Sequence, residues 1–318
     1  MAIRSSALTG CALFFLFLAA GAGKQPVSTT EQRRAALGPL EGMDPVLRKA
    51  VDNETAFLPL PAPEAGEWLS AHPEEGQTFE QFVASRPNRP YGGKRTIYLL
   101  PTGPFPPNDA PSLDFLRRFT EAYFGLPVRV LPHLSLAGQK VAQRILPGPP
   151  GVQLLTGDIL KILRQHLPPD AYCLLGVTMV DLYPGRSWNF VFGQASLTGR
   201  VGVYSFARYA PFFYGESSPD AKKIVLLRSC RVLAHETGHM FGLKHCVYYS
   251  CLMNGSNSML ESDAQPLHLC PVCLRKLQWS ADFDVARRYE RLRDLCREAG
   301  FANEARWLDG QASRLESP

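Results

Sequence analysis

Residues 235–246 read His-Glu-Thr-Gly-His-Met-Phe-Gly-Leu-Lys-His-Cys, the pattern HExxH extended to HExxHxxGxxH. This run constrains the chain more than any other part of it. On a helix, His235 and His239 stand four residues apart, on one face and one turn from each other. That spacing lets two imidazoles share one Zn²⁺, with Glu236 beside them to take a proton from water. Gly242 then ends the helix, because a residue without Cβ adopts the left-handed conformation that turns the chain sharply. The turn carries His245 back as a third ligand. Three protein ligands leave a fourth position open, which is the arrangement of a catalytic zinc and not of a structural one. The preceding stretch from Ile224 to Ala234 reads as an apolar, continuous helix running into the motif, the context such a motif requires.

Eight cysteines are present, and four crowd just after the histidines: Cys246, Cys251, Cys270 and Cys273. Two close pairs of thiols are the usual signature of a closed tetrahedral zinc site. Pro271 inside the second pair favours a tight knuckle that points both sulfurs the same way. Two local disulfides, or a redox CxxC, are the alternatives for the same residues. Cys173 and Cys230 lie in apolar runs and are expected as buried thiols. Cys296 falls on an expected C-terminal helix and has no evident role.

Met253 lies between the two cysteine pairs, and with the upstream motif it matches the methionine turn beneath the zinc of metzincin peptidases. The whole series, HExxHxxGxxHC-x4-C-x-M followed by CPVC, resembles the archaemetzincin family of zinc metallopeptidases. The runs from Leu175 to Pro184, from Trp188 to Ala195 and from Cys270 to Leu277 are also similar to that family, so the resemblance covers roughly residues 93 to 292. Carried over residue by residue, it implies His235, His239 and His245 as ligands of a catalytic zinc and Glu236 as general base. It further implies Cys246, Cys251, Cys270 and Cys273 around a second, structural zinc, hence two Zn²⁺ per chain, with Met253 packed under the histidines.

A chain of 318 residues, 45% of them hydrophobic, can bury one catalytic core with appendages. The net charge of +5 is modest and spread along the chain, and no RNA- or DNA-binding motif accompanies it, so no nucleic-acid partner is expected. At the amino terminus Arg4 precedes the apolar run Ala12 to Ala20, and Ala20-Gly21-Ala22 offers a small-residue cleavage site. The run is short for a membrane span. Residues 1–22 therefore read as a secretory signal. The expected location is secreted or extracytoplasmic, with the cytoplasm as the alternative, because zinc-binding thiols sit more easily in a reducing compartment. No membrane span is expected after signal removal, and the oligomeric state is open.

Residues 23–92 read as a loose helical region that could shield the cleft as a propeptide. No cysteine stands between Cys11 and Cys173 to inhibit a zinc, and no Asp or Glu singles itself out for that role. Residues 93–280 read as the catalytic domain with the cysteine site, and 281–318 as one or two C-terminal helices. The catalytic part alternates strand and helix. Thr96 to Leu100, Leu126 to Leu131 and the wholly apolar Tyr172 to Val180 are expected strands. Ser112 caps a helix to about Tyr123, and Thr156 or Asp158 opens another that ends before Pro168. Trp188 to Phe192 and Gly202 to Phe206 are the next expected strands. The expected class is α/β, a twisted, mostly parallel zincin-like sheet; the resemblance to metzincins implies an antiparallel edge strand at Asn189 to Gly193, able to pair with an extended peptide.

Three function classes fit these residues. A zinc metallopeptidase, aminopeptidase-like or acting on small peptides, leads. A zinc-dependent hydrolase of another amide shares the ligands without an extended cleft. A non-catalytic zinc-binding interaction protein shares the cysteine knot but has no need of Glu236.

Overall fold

The buried strand expected around residues 172–180 is the centre of the molecule. The computed structural model describes residues 26–106, 109–148 and 151–316; the expected signal at 1–22 lies outside the described residues. Its strands are β1 (Thr96–Pro101), β2 (Val128–Val130), β3 (Gln143–Ile145), β4 (Val152–Leu155), β5 (Ala171–Thr178), β6 (Asp181–Tyr183), β7 (Gly193–Ser196) and β8 (Val201–Ser205). Five of them form one sheet in the order β2-β1-β5-β8-β7. β2, β1, β5 and β8 run parallel, and β7 closes the edge antiparallel to β8. This is the mostly parallel sheet with an antiparallel edge that the sequence implies.

Every residue of β1, β5 and β8 is buried, because the sheet is covered on both faces. Alternate side chains enter different cores. Ile97, Leu99, Cys173, Leu175, Val177 and Tyr204 join the larger core, which takes in helix Leu113–Phe124 and the long helix Ala221–Met240. Tyr98, Leu100, Leu174, Val201 and Val203 point the other way, onto helix Thr156–Gln165 through Ile159, Leu160 and Leu163. Ser112 caps its helix as expected, accepting from the Phe115 amide at 3.2 Å. Thr156, and not Asp158, opens the other helix.

The expected edge strand requires a correction. Trp188 to Phe192 do not form a strand; they make only an isolated bridge, Val191 to Leu182, and the edge strand proper starts at Gly193. The aromatic residues that suggest a strand pack elsewhere: Arg208 lies over the Phe190 ring at 3.6 Å, and Phe192 stacks on Tyr209 with centroids 5.4 Å apart. The pairing falls on Gly193 because that residue stands opposite Tyr204, whose ring would meet a Cβ there at 2.1 Å. A second small sheet, β3-β4-β6, has no counterpart among the elements expected from the sequence.

The N-terminal region is not loose. Helices Thr30–Leu37, Pro45–Val51 and Phe79–Ala84 contribute Ala36, Leu47, Ala50, Val51 and Phe82 to the larger core. The C-terminal helices Val285–Glu298 and Ala302–Glu316 join the same core through Tyr289, Leu292, Leu295 and Leu308. No helix among the described residues is long and apolar enough to cross a membrane.

Candidate functional site

Helix Ala221–Met240 carries His235, Glu236 and His239 and stops just before Phe241. Its end is pinned from the core. The Phe241 ring is fully buried, stacked between Tyr172 at 4.4 Å and Phe124 at 5.2 Å, and the Tyr172 hydroxyl donates to the Met240 carbonyl at 3.0 Å. Gly242 follows with φ +85°, the left-handed turn its position in the motif demands. The chain doubles back, and the Leu243 amide donates to the Gly238 carbonyl at 3.2 Å. His245 is thereby brought beside the other two histidines, with ring centroids 5.4 Å from His235 and 5.1 Å from His239.

Each imidazole is fixed through the same nitrogen. His235 Nδ1 faces the Leu252 carbonyl at 2.8 Å, His239 Nδ1 faces the Leu243 carbonyl at 2.6 Å, and His245 Nδ1 faces Glu74 Oε1 at 2.8 Å. A carbonyl only accepts, so the Nδ1 atoms of His235 and His239 carry the protons and both Nε2 atoms hold lone pairs. Burial and the neighbouring histidines keep the His235 imidazole well below its ordinary pKa, and the same causes lower that of His239 to about 4. Yet the two Nε2 atoms lie only 3.0 Å apart. Two lone pairs at that distance repel unless a cation lies between them. Tetrahedral Zn²⁺ with bonds of about 2.0–2.1 Å places its nitrogens roughly 3.3 Å apart. The ligand atoms of all three histidines fall within 4.8 Å of one another, so the donor set fits a zinc ion.

Glu236, next to this cluster, keeps part of its surface open. Desolvation raises its carboxyl to about 7, partly offset by His245, so it holds or releases a proton near neutrality. A divalent cation held by the three histidines would draw that value down again. Tyr204 and Tyr209 stand close enough to feel its charge, which adds to the burial that already pushes their phenols up.

The four candidate cysteines also converge. Cys246, Cys251, Cys270 and Cys273 are buried, and their sulfurs lie within 4.8 Å of one another. None forms a disulfide, and Cys246 Sγ stands 3.5 Å from Cys270 Sγ. Backbone amides of Cys270 and Met253 point at Cys251 Sγ, at 3.2 and 3.5 Å. Hydrogen bonds from the other three thiols hold Cys246 well below the ordinary thiol range. Cys270 is pushed up by burial and by its neighbours, and Cys273 chiefly by hydrogen bonds to Cys246 and Cys251. Four sulfurs converging at this distance, with no disulfide among them, match the donor set of a closed tetrahedral zinc site.

Two residues that sequence reasoning missed tie the centres together. Asn254 Oδ1 accepts from the Cys251 amide at 2.7 Å, while its Nδ2 donates to the carbonyls of Cys246 at 2.7 Å and Tyr249 at 2.9 Å. It closes the loop that runs from His245 to Met253. Glu74 is the other. Its carboxylate is lowered overall: burial works to raise it, and the hydrogen bonds from His245 and Trp68 outweigh burial. An asparagine next to the methionine could have been suspected as a loop staple; nothing local marks Glu74.

The chain is similar in sequence to known proteins over most of its length. Residues 158–279 match Peptidase family M54. The archaemetzincin-2 of Macaca fascicularis is 38% identical over 319 residues, covering 91% of this chain and 84% of that protein. The archaemetzincin-1 of Mus musculus is 36% identical over 269 residues, covering 76% of this chain and 54% of that protein. The solved archaemetzincin of Archaeoglobus fulgidus is 29% identical, covers 57% of this chain and 99% of its own, and superposes with a TM-score of 0.42. On the strength of the archaemetzincin-2 match, the chain belongs to the archaemetzincin family and is a zinc metallopeptidase.

Proposed function

We propose that the chain hydrolyses short or unstructured peptides, aminopeptidase-like, with one zinc at His235, His239 and His245 and a second at the four cysteines. The observation that carries this reading is the convergence of deprotonated Nε2 atoms, 3.0 Å apart for His235 and His239, beside the partly open Glu236. Zn²⁺ bound there supplies Lewis-acid polarisation of the scissile carbonyl and lowers the pKa of the attacking water.

The chain's own groups do the rest. The Glu236 carboxylate takes the proton of the attacking water and passes it to the leaving amine nitrogen. The hydrogen bonds at each Nδ1 hold the three rings in the tautomer that leaves Nε2 free. β7 is the edge of the five-stranded sheet, where an extended peptide can add as a further strand. The cysteine cluster, adjacent to His245 in sequence, fixes the loop that presents it.

Zinc content by mass spectrometry, alongside hydrolysis of a fluorogenic peptide library, tests the reading. The expected result is two zincs per wild-type chain, one in a His235→Ala, His239→Ala double variant, and activity lost on chelation. N-terminally acetylated peptides should resist cleavage. One zinc in the wild type, unchanged in the double variant, would leave only the cysteine cluster loaded and overturn it.

A further inference from the structure

We infer that Glu74, in the N-terminal region, is a positioning residue for the catalytic zinc, and that the segment around it is a built-in part of the active site and not a removable shield. The inference rests on the reading of His245 as a zinc ligand. His235 and His239 are oriented by carbonyls of Leu252 and Leu243, close to them in the chain or on the same loop. Among the described residues, His245 Nδ1 meets no such carbonyl. Its Nδ1 is held at 2.8 Å by a carboxylate 171 residues upstream. A carboxylate behind a histidine fixes the tautomer with Nε2 free, and its charge makes that nitrogen a better donor.

Glu74 is itself held in place. The Trp68 indole N–H donates to Glu74 Oε1 at 2.6 Å, and the Trp68 amide donates to Glu261 Oε1 at 2.8 Å. The Trp68 ring stands edge-on to His245 with centroids 5.1 Å apart, closing that flank of the imidazole. Three residues on, Gln77 continues the contact: its amide nitrogen donates to the Gly242 carbonyl at 3.4 Å and its oxygen accepts from the Lys244 amide at 3.3 Å. On the far side of the loop, the Ser250 amide donates to the Leu58 carbonyl at 2.9 Å and the Leu60 amide to the Tyr248 carbonyl at 3.3 Å. Residues 58–77 thus grip the loop 242–250 from both ends, with a charged contact placed on the candidate ligand. A segment that only shielded the cleft would have no reason to supply the acceptor for His245.

The test measures zinc affinity at both sites of the full-length chain by chelator competition, in wild type, Glu74→Gln and Glu74→Ala. The cysteine site serves as an internal reference, because a merely structural defect weakens both sites together. Glutamine keeps an acceptor for the imidazole N–H but loses the charge; alanine loses both. The expected result is a graded loss at the histidine site, larger in the alanine variant and about 10–100-fold there, with the cysteine site unchanged. Histidine-site affinity within twofold of wild type in both variants would overturn the inference, as would equal losses at both sites. If alanine fails to fold, the near-isosteric glutamine variant decides by the same two criteria. Should the wild type itself bind no histidine-dependent zinc, the reading of His245 as a ligand fails and takes this inference with it; a wild type that binds zinc while the variants match it sinks this inference alone.

Discussion

Met253 lies directly under Gly238: a Cβ built on Gly238 would meet the Met253 sulfur at 2.7 Å. Gly238 sits between His235 and His239 on the helix, so the methionine side chain fills the space beneath the histidine pair. Met253 is fully buried, so any displacement of its side chain must be taken up by the core around it.

Gly238→Ala therefore sets two effects against each other. Alanine gains about 1 kcal/mol of helix propensity over glycine. Overpacking a filled core costs about 1–3 kcal/mol. The second term wins, so denaturant unfolding should show a net loss of up to about 2 kcal/mol. Adding Met253→Ala should relieve the clash, and the double variant should be less destabilised than the sum of the two singles by at least about 0.5 kcal/mol. Strict additivity would mean that the two residues do not press on each other.

Glu236→Gln keeps size and hydrogen-bonding capacity but cannot take a proton. Peptide hydrolysis should fall by about 10²–10⁴-fold, the usual contribution of a positioned acid–base group. Zinc content should stay at the wild-type level, because Glu236 is not among the clustered metal-binding groups. Residual activity within tenfold of wild type would mean that another group moves the proton.

What could be read from the sequence follows the range of the interactions involved. His235, His239 and Gly242 were legible because helix periodicity and a left-handed turn are local, and the structure puts φ +85° where the motif asks for it. The cysteine set was legible because its spacing is short on each side. Glu74 was not, since a hydrogen bond spanning 171 residues leaves no local pattern. The edge strand shows a different failure. Phe190, Val191 and Phe192 look like strand residues, but the rings of Phe190 and Phe192 are claimed by Arg208 and Tyr209, and Val191 makes an isolated backbone bridge to Leu182. The residues that do pair, Gly193 to Ser196, have poor strand propensity and are recruited by Tyr204 opposite. β3, β4 and β6 are three or four residues long, too short for a period-two pattern to stand out.

Asp181, at the start of β6, has a side chain 1% exposed and accepts a bidentate pair of hydrogen bonds from Arg208, each at 2.8 Å. The same arginine roofs Phe190 in the stretch that leads into the edge strand. Arg208→Ala leaves a buried carboxylate without its cation and should cost about 3–5 kcal/mol in urea unfolding. The paired replacement Arg208→Met with Asp181→Leu removes both charges and should recover most of that loss. A single variant within about 1 kcal/mol of wild type, well under the usual cost of an orphaned buried charge, would show that water or Gln153, which donates to Asp181 Oδ2 at 2.6 Å, suffices for the carboxylate.

Cys270→Ser tests whether the two centres depend on each other. Cys270 is fully buried, with its sulfur 3.5 Å from Cys246, and Cys246 directly follows His245. The Cys246 amide also donates to the Met253 carbonyl at 2.7 Å, so the loop is stitched between the cysteine cluster and the methionine under the histidines. Removing one sulfur should empty the cysteine site and free the loop on which His245 rides. Since metal binding to such a cluster is folding free energy, the loss should reach at least about 3 kcal/mol. That corresponds to roughly 4–5 °C in melting temperature for a chain of this size. The sharper readout is the other metal: zinc at the histidines should dissociate faster, and added zinc should restore part of the peptidase activity. Histidine-site zinc retained as tightly as in the wild type would show that the end of the active-site helix and Glu74 hold His245 without help from the cysteines.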